Sequence, residues 1–208
     1  MDEVTAKHLS SFQLAGRTLL ACRCNNSHSG NLSVRDGARV IITRTRSMLG
    51  QLEAHDLVVV DHEPTAEQRA RASSELNVHL AIYAQSAHRA VAHGHALAAV
   101  AVGWITDRFA PIDVEGAYYF GSVPVIECHP ATMHATTAKA VAGALAHAPL
   151  VILRGHGVFA GGATLEQAMQ RITSINDSAE LFIRAQQLGA DLDALARKPY
   201  LDFSWLKS

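Results

Sequence analysis

The chain is poor in residues that mark several protein classes, and cysteine is the first of them. It has three cysteines in 208 residues, an odd number that does not build a disulfide framework in a chain of this length. Cys22 and Cys24 are spaced more closely than the usual zinc-binding cysteine pairs. We therefore interpret the cysteines as small, mostly buried residues of a protein in the reducing cytosol.

An excess of one charge and long apolar runs are also missing. The 18 basic and 19 acidic residues give a net charge of −1, so electrostatics give no case for binding nucleic acid or an anionic membrane. The longest apolar runs, such as residues 96–102, are far shorter than the roughly 20 residues that span a bilayer. The start, Met1-Asp2-Glu3, has neither the basic residues nor the apolar stretch of a signal peptide. Together these absences predict a cytoplasmic protein with neither nucleic acid nor membrane as a partner.

What the chain does contain is material for a core. Hydrophobic residues make up 49% and charged residues 18%, and no repeat or low-complexity tract divides the sequence. We predict one domain over residues 1–208, with a tail (192–208) that packs on the body or on a neighbouring subunit. Periodicity predicts helices over the opening segment, from Ser74, over 135–148 and from Thr164 to Gly189. Strands are predicted at 32–34, 40–43, 57–60, 90–93, 123–126 and 150–153, and this mixture indicates an α/β or α+β architecture with a central sheet.

The strongest chemical signal is a set of histidines at predicted strand ends. His93 and His95 flank a glycine, and His156 follows a second apolar strand in the run Arg154-Gly155-His156-Gly157. Histidines at i and i+2 of a strand point to the same face. Three protein ligands with an open fourth position are typical of catalytic zinc sites. Three separate, hydrogen-bonded histidines are the alternative, but their joint position at glycine-marked turns favours a metal site.

Other candidate residues carry little weight singly. Glu75 follows Ser73-Ser74 at the start of a predicted helix, where a negative charge is favourable in any protein. The two serines fit either plain capping residues or donors to an anion at the helix start.

Taken in order, these residues resemble the class II aldolase and adducin head-domain family. The resemblance runs from about residue 5 to about residue 190, and its members include sugar-phosphate aldolases and epimerases. It rests on the succession Gly30-Asn31-Leu32-Ser33, Ile42-Thr43-Arg44-Thr45, Ser73-Ser74-Glu75, His93-Gly94-His95 and Leu153-Arg154-Gly155-His156-Gly157.

The resemblance implies a three-layer α/β/α fold around a mostly antiparallel sheet, and a homotetramer with its sites at subunit interfaces. It also implies one divalent metal ion per chain, zinc in the aldolases, with manganese, cobalt and iron as alternatives. His93, His95 and His156 match the metal ligands, and Glu75 matches the catalytic carboxylate. The residues that match groups holding the substrate phosphate are Asn31, Thr45, Ser73 and Ser74.

These roles predict an aldolase that cleaves a small anionic hydroxy-ketone, such as a sugar phosphate like fuculose-1-phosphate. The metal ion would stabilise an enediolate, while Glu75 carries the proton. Epimerisation, decarboxylation or dehydration of a related sugar phosphate or acid uses the same metal site and stays open. A non-catalytic, adducin-like interaction domain is the third possibility, although a scaffold has no need for three convergent imidazoles.

The sequence departs from the family pattern at two places. Arg46 stands where the family has a glycine beside the phosphate, and it can either contact the anion with its guanidinium or block the pocket. The family's inter-subunit tyrosine falls near Glu115, where no tyrosine is present. Tyr119 is our candidate for the general acid, with Tyr118, Glu115 and Tyr200 as alternatives, and strand packing is an equally good explanation of Tyr118 and Tyr119.

Overall fold

An eight-stranded sheet forms the centre of the molecule. The computed structural model describes residues 3–127, 135–198 and 201–203. The strand order is β3-β2-β1-β4-β8-β7-β6-β5, and among these described strands β6 and β7 are the only parallel neighbours. The strands are β1 (Asn31–Asp36), β2 (Arg39–Thr43), β3 (Leu57–Val60), β4 (Ala90–Gly94), β5 (Arg108–Phe109), β6 (Val123–Ile126), β7 (Leu150–Leu153) and β8 (Gly157–Gly162).

Helices cover both faces of this sheet. The first, fourth and seventh pack on one face and the third and sixth on the other. The helices are α1 (Glu3–Ala21), α2 (Ala66–Arg71), α3 (Leu76–Gln85), α4 (Leu97–Gly103), α5 (Val114–Phe120), α6 (Ala135–Leu145), α7 (Leu165–Gln187) and α8 (Leu192–Ala196).

Two separate cores follow from the alternation of side chains along the strands. Ile41 belongs to the core that contains Phe12 of α1, whereas its neighbours Val40 and Ile42 belong to the core that contains Ile82 of α3. Successive strand side chains point to opposite faces, so a strand that is apolar throughout must be covered on both sides. The predicted three-layer α/β/α fold with a mostly antiparallel sheet is confirmed.

Most predicted elements are present, and β8 is the main strand that the sequence did not reveal. Half of its six residues, Gly-Val-Phe-Ala-Gly-Gly, are glycine, which is typical of a turn rather than of a strand. All six are nevertheless buried, because β8 lies between β4 and β7 in the middle of the sheet.

Three local expectations were wrong. The residue that caps α3 is Glu75, not Ser74, and the backbone N–H of Glu75 donates to the Ser73 hydroxyl over 3.3 Å. Tyr118 and Tyr119 lie on α5, so they are not packed on a strand. Cys22 is exposed, whereas Cys24 is buried, as expected, and burial raises the pKa of its thiol to about 12.

The C-terminal tail is described only in part. It begins with α8, and the ring of Phe203 lies 5.4 Å from the ring of Tyr118 in an edge-to-face contact. Tyr200, one of the candidate general acids, lies outside the described residues, as does Trp205. In the part of the chain that the structure describes, no helix combines the length and apolarity needed to cross a bilayer.

Two helical glycines predict opposite effects of the same substitution. A Cβ at Gly16 in α1 would lie 2.0 Å from the carbonyl oxygen of Leu49, whereas a Cβ at Gly143 in α6 would meet nothing within 4 Å. We expect Gly16→Ala to lower the free energy of unfolding by about 1–3 kcal/mol, because backbone must move. Gly143→Ala should raise it by about 0.5–1 kcal/mol. Urea unfolding of both variants checks this, and a stable Gly16→Ala protein would contradict the close contact of α1 with residue 49.

Candidate active site

His93 lies buried at the bottom of the site. It lies in β4, where its ring stacks on Phe159 of β8 with 4.1 Å between the centroids. Its Nδ1 donates a hydrogen bond to the carbonyl oxygen of Val158 over 3.0 Å. This bond fixes the tautomer and leaves the Nε2 lone pair directed into the site, where it has no hydrogen-bond partner among the described residues.

His95 and His156 complete a cluster with His93. The three ring centroids are 4.9–5.0 Å apart, and one nitrogen from each ring lies within 4.8 Å of the others. Burial is the largest cause that lowers the pKa of all three imidazoles, that of His93 well below its usual value. Neutral imidazoles keep a lone pair for a metal ion, so this cluster can bind one.

The turn between β7 and β8 holds His156 in position. Arg154, at the start of this turn, is bound to Glu127 at 2.7 Å, to Asp107 at 2.5 Å and to the carbonyl of Gly103. These contacts tie the turn to the end of α4 and to the loops beside β5 and β6. The ion pairs involve exposed carboxylates, so they orient the turn more than they stabilise the fold.

Glu75 faces the histidine cluster from the first turn of α3. Its Oε2 lies 3.4 Å from Nε2 of His93 and accepts a hydrogen bond of 2.7 Å from Nδ2 of Asn31. Its Oε1 lies 4.0 Å from Nε2 of His156 and has no hydrogen-bond partner in the described part of the chain. Glu75 is 5% exposed and His93 is 0% exposed.

These unpartnered atoms test whether a metal ion fits. A buried carboxylate oxygen and a buried imidazole nitrogen without partners are costly, and native proteins leave few such groups. A cation between the imidazoles and Glu75 would compensate both. Three imidazoles with a carboxylate nearby are also a donor set that zinc and similar divalent ions accept. The residues therefore fit the metal ion that the sequence predicted.

A cavity of about 200 Å³ opens above this cluster. Most of the predicted site residues line it, and His93 lies buried beneath it. Five lining residues were not among the predicted site residues: His28, Ser29, Gly30, Arg44 and Ser47. The lining consists of His28, Ser29, Gly30, Asn31, Arg44, Thr45, Arg46, Ser47, Ser73, Ser74, Glu75, His95 and His156.

One end of the cavity is suited to an anion. Ser73 and Ser74 lie at the N-terminus of α3, where backbone N–H groups and the helix dipole favour negative charge. Arg44 is tied to Asp56 by a 2.6 Å ion pair. Arg46 is exposed, makes no ion pair with any described residue, and has a φ of 60°. This left-handed conformation is one that glycine adopts freely and that other residues rarely adopt.

The predicted general acid does not reach this cavity within one chain. Tyr118 and Tyr119 are 54% and 45% exposed on α5, and neither they nor Glu115 line the cavity. Sequence reasoning also missed His79 and Ser33, which are buried directly behind Asn31. The signal that would have found His79 is its spacing of four residues from Glu75 on the same helix.

The family model of the Class II Aldolase and Adducin N-terminal domain matches residues 11–183, which is most of the chain. This chain belongs to that family. The predicted resemblance is thereby confirmed.

Individual relatives in this family carry out different reactions. The crystal structure of L-fuculose-1-phosphate aldolase from Thermus thermophilus superposes with a TM-score of 0.84 at 31% identity, over 88% of this chain and 96% of that one. A methylthioribulose-1-phosphate dehydratase from Acidiphilium cryptum is 32% identical over 71% of this chain and 76% of its own. A 3-oxo-tetronate 4-phosphate decarboxylase from Haemophilus influenzae is 30% identical over 76% and 78%. The family is thus one of enzymes whose reactions differ between members.

Metal content tests the histidine cluster. We expect the purified protein to hold about one divalent ion per chain, because three neutral imidazoles converge beside a buried carboxylate. His93→Ala and His156→Ala should each lose most of it, since loss of one of three ligands leaves too few donors. Elemental analysis after gel filtration gives the stoichiometry.

His147→Ala is the matched control, because this exposed histidine lies outside the cluster. Equal metal content in His147→Ala and His93→Ala would place the ion elsewhere.

Proposed function

We propose that this protein is a divalent-metal-dependent aldolase that cleaves a small phosphorylated hydroxy-ketone, of the fuculose-1-phosphate kind, into a ketone phosphate and an aldehyde. One observation carries the proposal: Glu75 points an unpartnered carboxylate oxygen at three convergent imidazoles, on the floor of a polar cavity. The similarity to the Thermus aldolase, which extends over nearly the whole of that chain, supports the choice of reaction.

His93, His95 and His156 would hold the ion, and zinc is the metal that we propose. A bound divalent ion supplies a Lewis acid that polarises a carbonyl and stabilises the negative charge developing on its oxygens. The neutral imidazoles leave the ion its full charge for this task. Nδ1 of His93 is already committed to Val158, so His93 presents only Nε2 to the ion.

Glu75 would carry the proton at the carbon next to the carbonyl. Its Oε2 is held by Asn31, and its Oε1 is the atom left available. In cleavage the reacting hydroxyl would lose its proton to a base as the carbon–carbon bond breaks, which gives the aldehyde and a carbanion. A Glu75 that carries a proton would give it to this carbanion, and the proton released from the hydroxyl would replace it. In the reverse direction Glu75 removes the same proton as a general base.

The anion end of the cavity would bind the phosphate. Thr45, Ser73 and Ser74 offer their hydroxyl groups around the start of α3, and Asn31 has a second amide hydrogen. The backbone N–H groups of Thr45 and Ser73 are already bound to the carbonyls of Arg71 and Thr43. Arg46 adds a guanidinium that no described acidic group neutralises, and arginine binds phosphate and carboxylate groups in a bidentate manner. We therefore propose that Arg46 contacts the anionic group instead of closing the pocket.

We further propose a single domain, a cytoplasmic location and a homotetramer in which the sites lie at subunit interfaces. The exposed apolar side chains near α4 and α5 support the homotetramer, since large exposed apolar groups mark contact surfaces. In such an assembly Tyr119 would act as general acid in a neighbouring subunit's site. The apolar side chains in question are Leu97, Trp104, Ile105, Val114, Tyr118 and Tyr119.

Dehydration is the second candidate reaction, favoured by the dehydratase relative at 32% identity. It would use the same ion and Glu75, but it would eliminate water without breaking a carbon–carbon bond. The decarboxylase relative points to another variation on this chemistry. A non-catalytic interaction domain explains neither the three imidazoles nor the buried, unpartnered oxygen of Glu75.

The reaction itself is tested with Glu75→Gln. We expect the wild type to release a ketone phosphate and an aldehyde from L-fuculose 1-phosphate or a related phosphorylated hydroxy-ketone. Glu75→Gln should lower kcat by about 10²–10⁴-fold, because the amide cannot carry the proton. Its KM and metal content should change little. Coupled assays for both products give the rates, and release of water without an aldehyde would identify the dehydratase instead.

Arg46→Gly tests the anion contact. We expect the KM for the phosphorylated substrate to rise by about ten- to a hundredfold, since a hydrogen bond to a charged group contributes about 1.5–3 kcal/mol. The melting temperature should stay the same or rise, because glycine relieves the left-handed backbone strain. Arg46→Lys keeps the charge and the backbone strain but loses the bidentate geometry. Its KM should therefore lie between those of the wild type and Arg46→Gly. An unchanged substrate preference in Arg46→Gly would count against this role.

A further inference from the structure

A buried row of hydrogen bonds leads from Glu75 into the core. Nδ2 of Asn31 lies 2.7 Å from Oε2 of Glu75, and Oδ1 of Asn31 lies 2.5 Å from Nε2 of His79. Nδ1 of His79 lies 2.6 Å from the hydroxyl of Ser33, which lies 2.7 Å from the hydroxyl of Tyr83. All five residues are buried, and Ser33 and His79 are 0% exposed.

This row is possible because the repeats of a helix and a strand nearly coincide. Glu75, His79 and Tyr83 are four residues apart at the start and along one face of α3, a rise of about 6 Å per step. Asn31 and Ser33 are two residues apart on one face of β1, a step of about 6.6 Å. The two columns therefore stay side by side over the whole row.

The charge of Glu75 fixes the direction of every bond in the row. An ionised carboxylate only accepts, so Asn31 must present its N–H to Glu75 and its Oδ1 to His79. His79 must then donate from Nε2 and accept at Nδ1. Its burial lowers the pKa of this imidazole to about 3, so it is neutral and can do both. Ser33 donates to His79 and accepts from Tyr83, whose oxygen also has a bond to the backbone of Val91.

We propose that His79 and Ser33 are positioning residues which, through Asn31, fix Oε2 of Glu75 and so reserve Oε1 for proton transfer. This inference rests on the proposed function, because it assigns the proton to one oxygen of the proposed carboxylate. None of the groups behind Asn31 touches the cavity. Their contribution is to hold one side-chain rotamer of Glu75 and one amide orientation of Asn31, so that one carboxylate oxygen is bound by Asn31 and the other faces the histidines.

The reverse orientation shows why the row needs His79. With Asn31 turned over, its Oδ1 would face Oε2 of Glu75 at 2.7 Å, and two acceptors would repel each other. An apolar side chain at position 79 removes the donor that prevents this rotation. A buried polar row is stabilising only when its members are satisfied, and behind Oε2 of Glu75 the bonding atoms of Asn31, His79, Ser33 and Tyr83 have partners in the orientation described.

His79→Leu and His79→Gln test the proposal by kinetics. Deuterium exchange at the carbon next to the carbonyl of dihydroxyacetone phosphate, in D₂O, measures the proton transfer alone. We expect His79→Leu to lower kcat for exchange by about 10–100-fold, the range seen when a supporting hydrogen-bond partner is removed. KM and metal content should change little. His79→Gln should recover part of the rate, because its amide N–H can donate to Oδ1 of Asn31.

Ile82→Val is the matched control, since Ile82 is fully buried on the same helix but outside the row. If His79→Leu and Ile82→Val lose activity only in proportion to their loss of stability, His79 is merely structural and the proposal is wrong. If His79→Leu fails to fold, Tyr83→Phe and Ser33→Ala shorten the row from its far end. They should then lower kcat progressively as the break approaches Asn31, and equal, unchanged rates would overturn the proposal.

Nitrogen-15 NMR of the histidine side chains gives a readout that needs no substrate. The proposal requires a neutral His79 with its proton on Nε2, and a change at Nδ1 in Ser33→Ala. A proton on Nδ1 would overturn it whatever the kinetics. If wild type shows the required tautomer but exchanges no deuterium with any hydroxy-ketone phosphate, the role of Glu75 in the proposed function fails, and the assignment of Oε1 fails with it.

Discussion

The structure of the site depends on the burial of one carboxylate opposite one imidazole. Glu75 and His93 each keep a buried atom without a hydrogen-bond partner among the described residues, and these atoms face the same small volume between α3 and β4. Such an arrangement is unfavourable unless a cation compensates it. Three neighbouring elements position these groups. The ring of His93 stacks on β8 and donates to its backbone, His156 lies in the turn before β8, and Asn31 of β1 donates to Glu75.

The sheet brings these groups together from distant parts of the sequence. Asn31 is paired with His93 across β1 and β4, and His93 is paired with Phe159 across β4 and β8. The strand register therefore fixes the distance between Asn31, which binds Glu75, and the imidazole of His93. The relatives of this chain include an aldolase, a dehydratase and a decarboxylase. Membership of the family therefore does not by itself fix the reaction.

Much of the fold and the site was predictable, for identifiable reasons. The histidines were found because i, i+2 spacing on a strand dictates a common face, and the three layers were implied by the resemblance to the family. The positive φ of Arg46 was not predicted, although the family has a glycine there, a residue that adopts such backbone angles freely. The glycine-rich β8 was missed because its burial comes from neighbouring strands, not from its own composition. His79 was missed although it lies four residues after Glu75, because its hydrogen-bond partners Ser33 and Asn31 belong to a strand that is distant in the sequence.

We infer that a divalent ion binds between the three imidazoles and Glu75. A crystal structure of the zinc-loaded protein, with anomalous data collected on both sides of the zinc absorption edge, tests this inference. We expect one strong anomalous peak per chain, about 2.0–2.1 Å from a nitrogen of each of His93, His95 and His156. Oε2 of Glu75 should stay bound to Asn31. A peak at another place, or an unchanged cluster with no peak at saturating zinc, would contradict it.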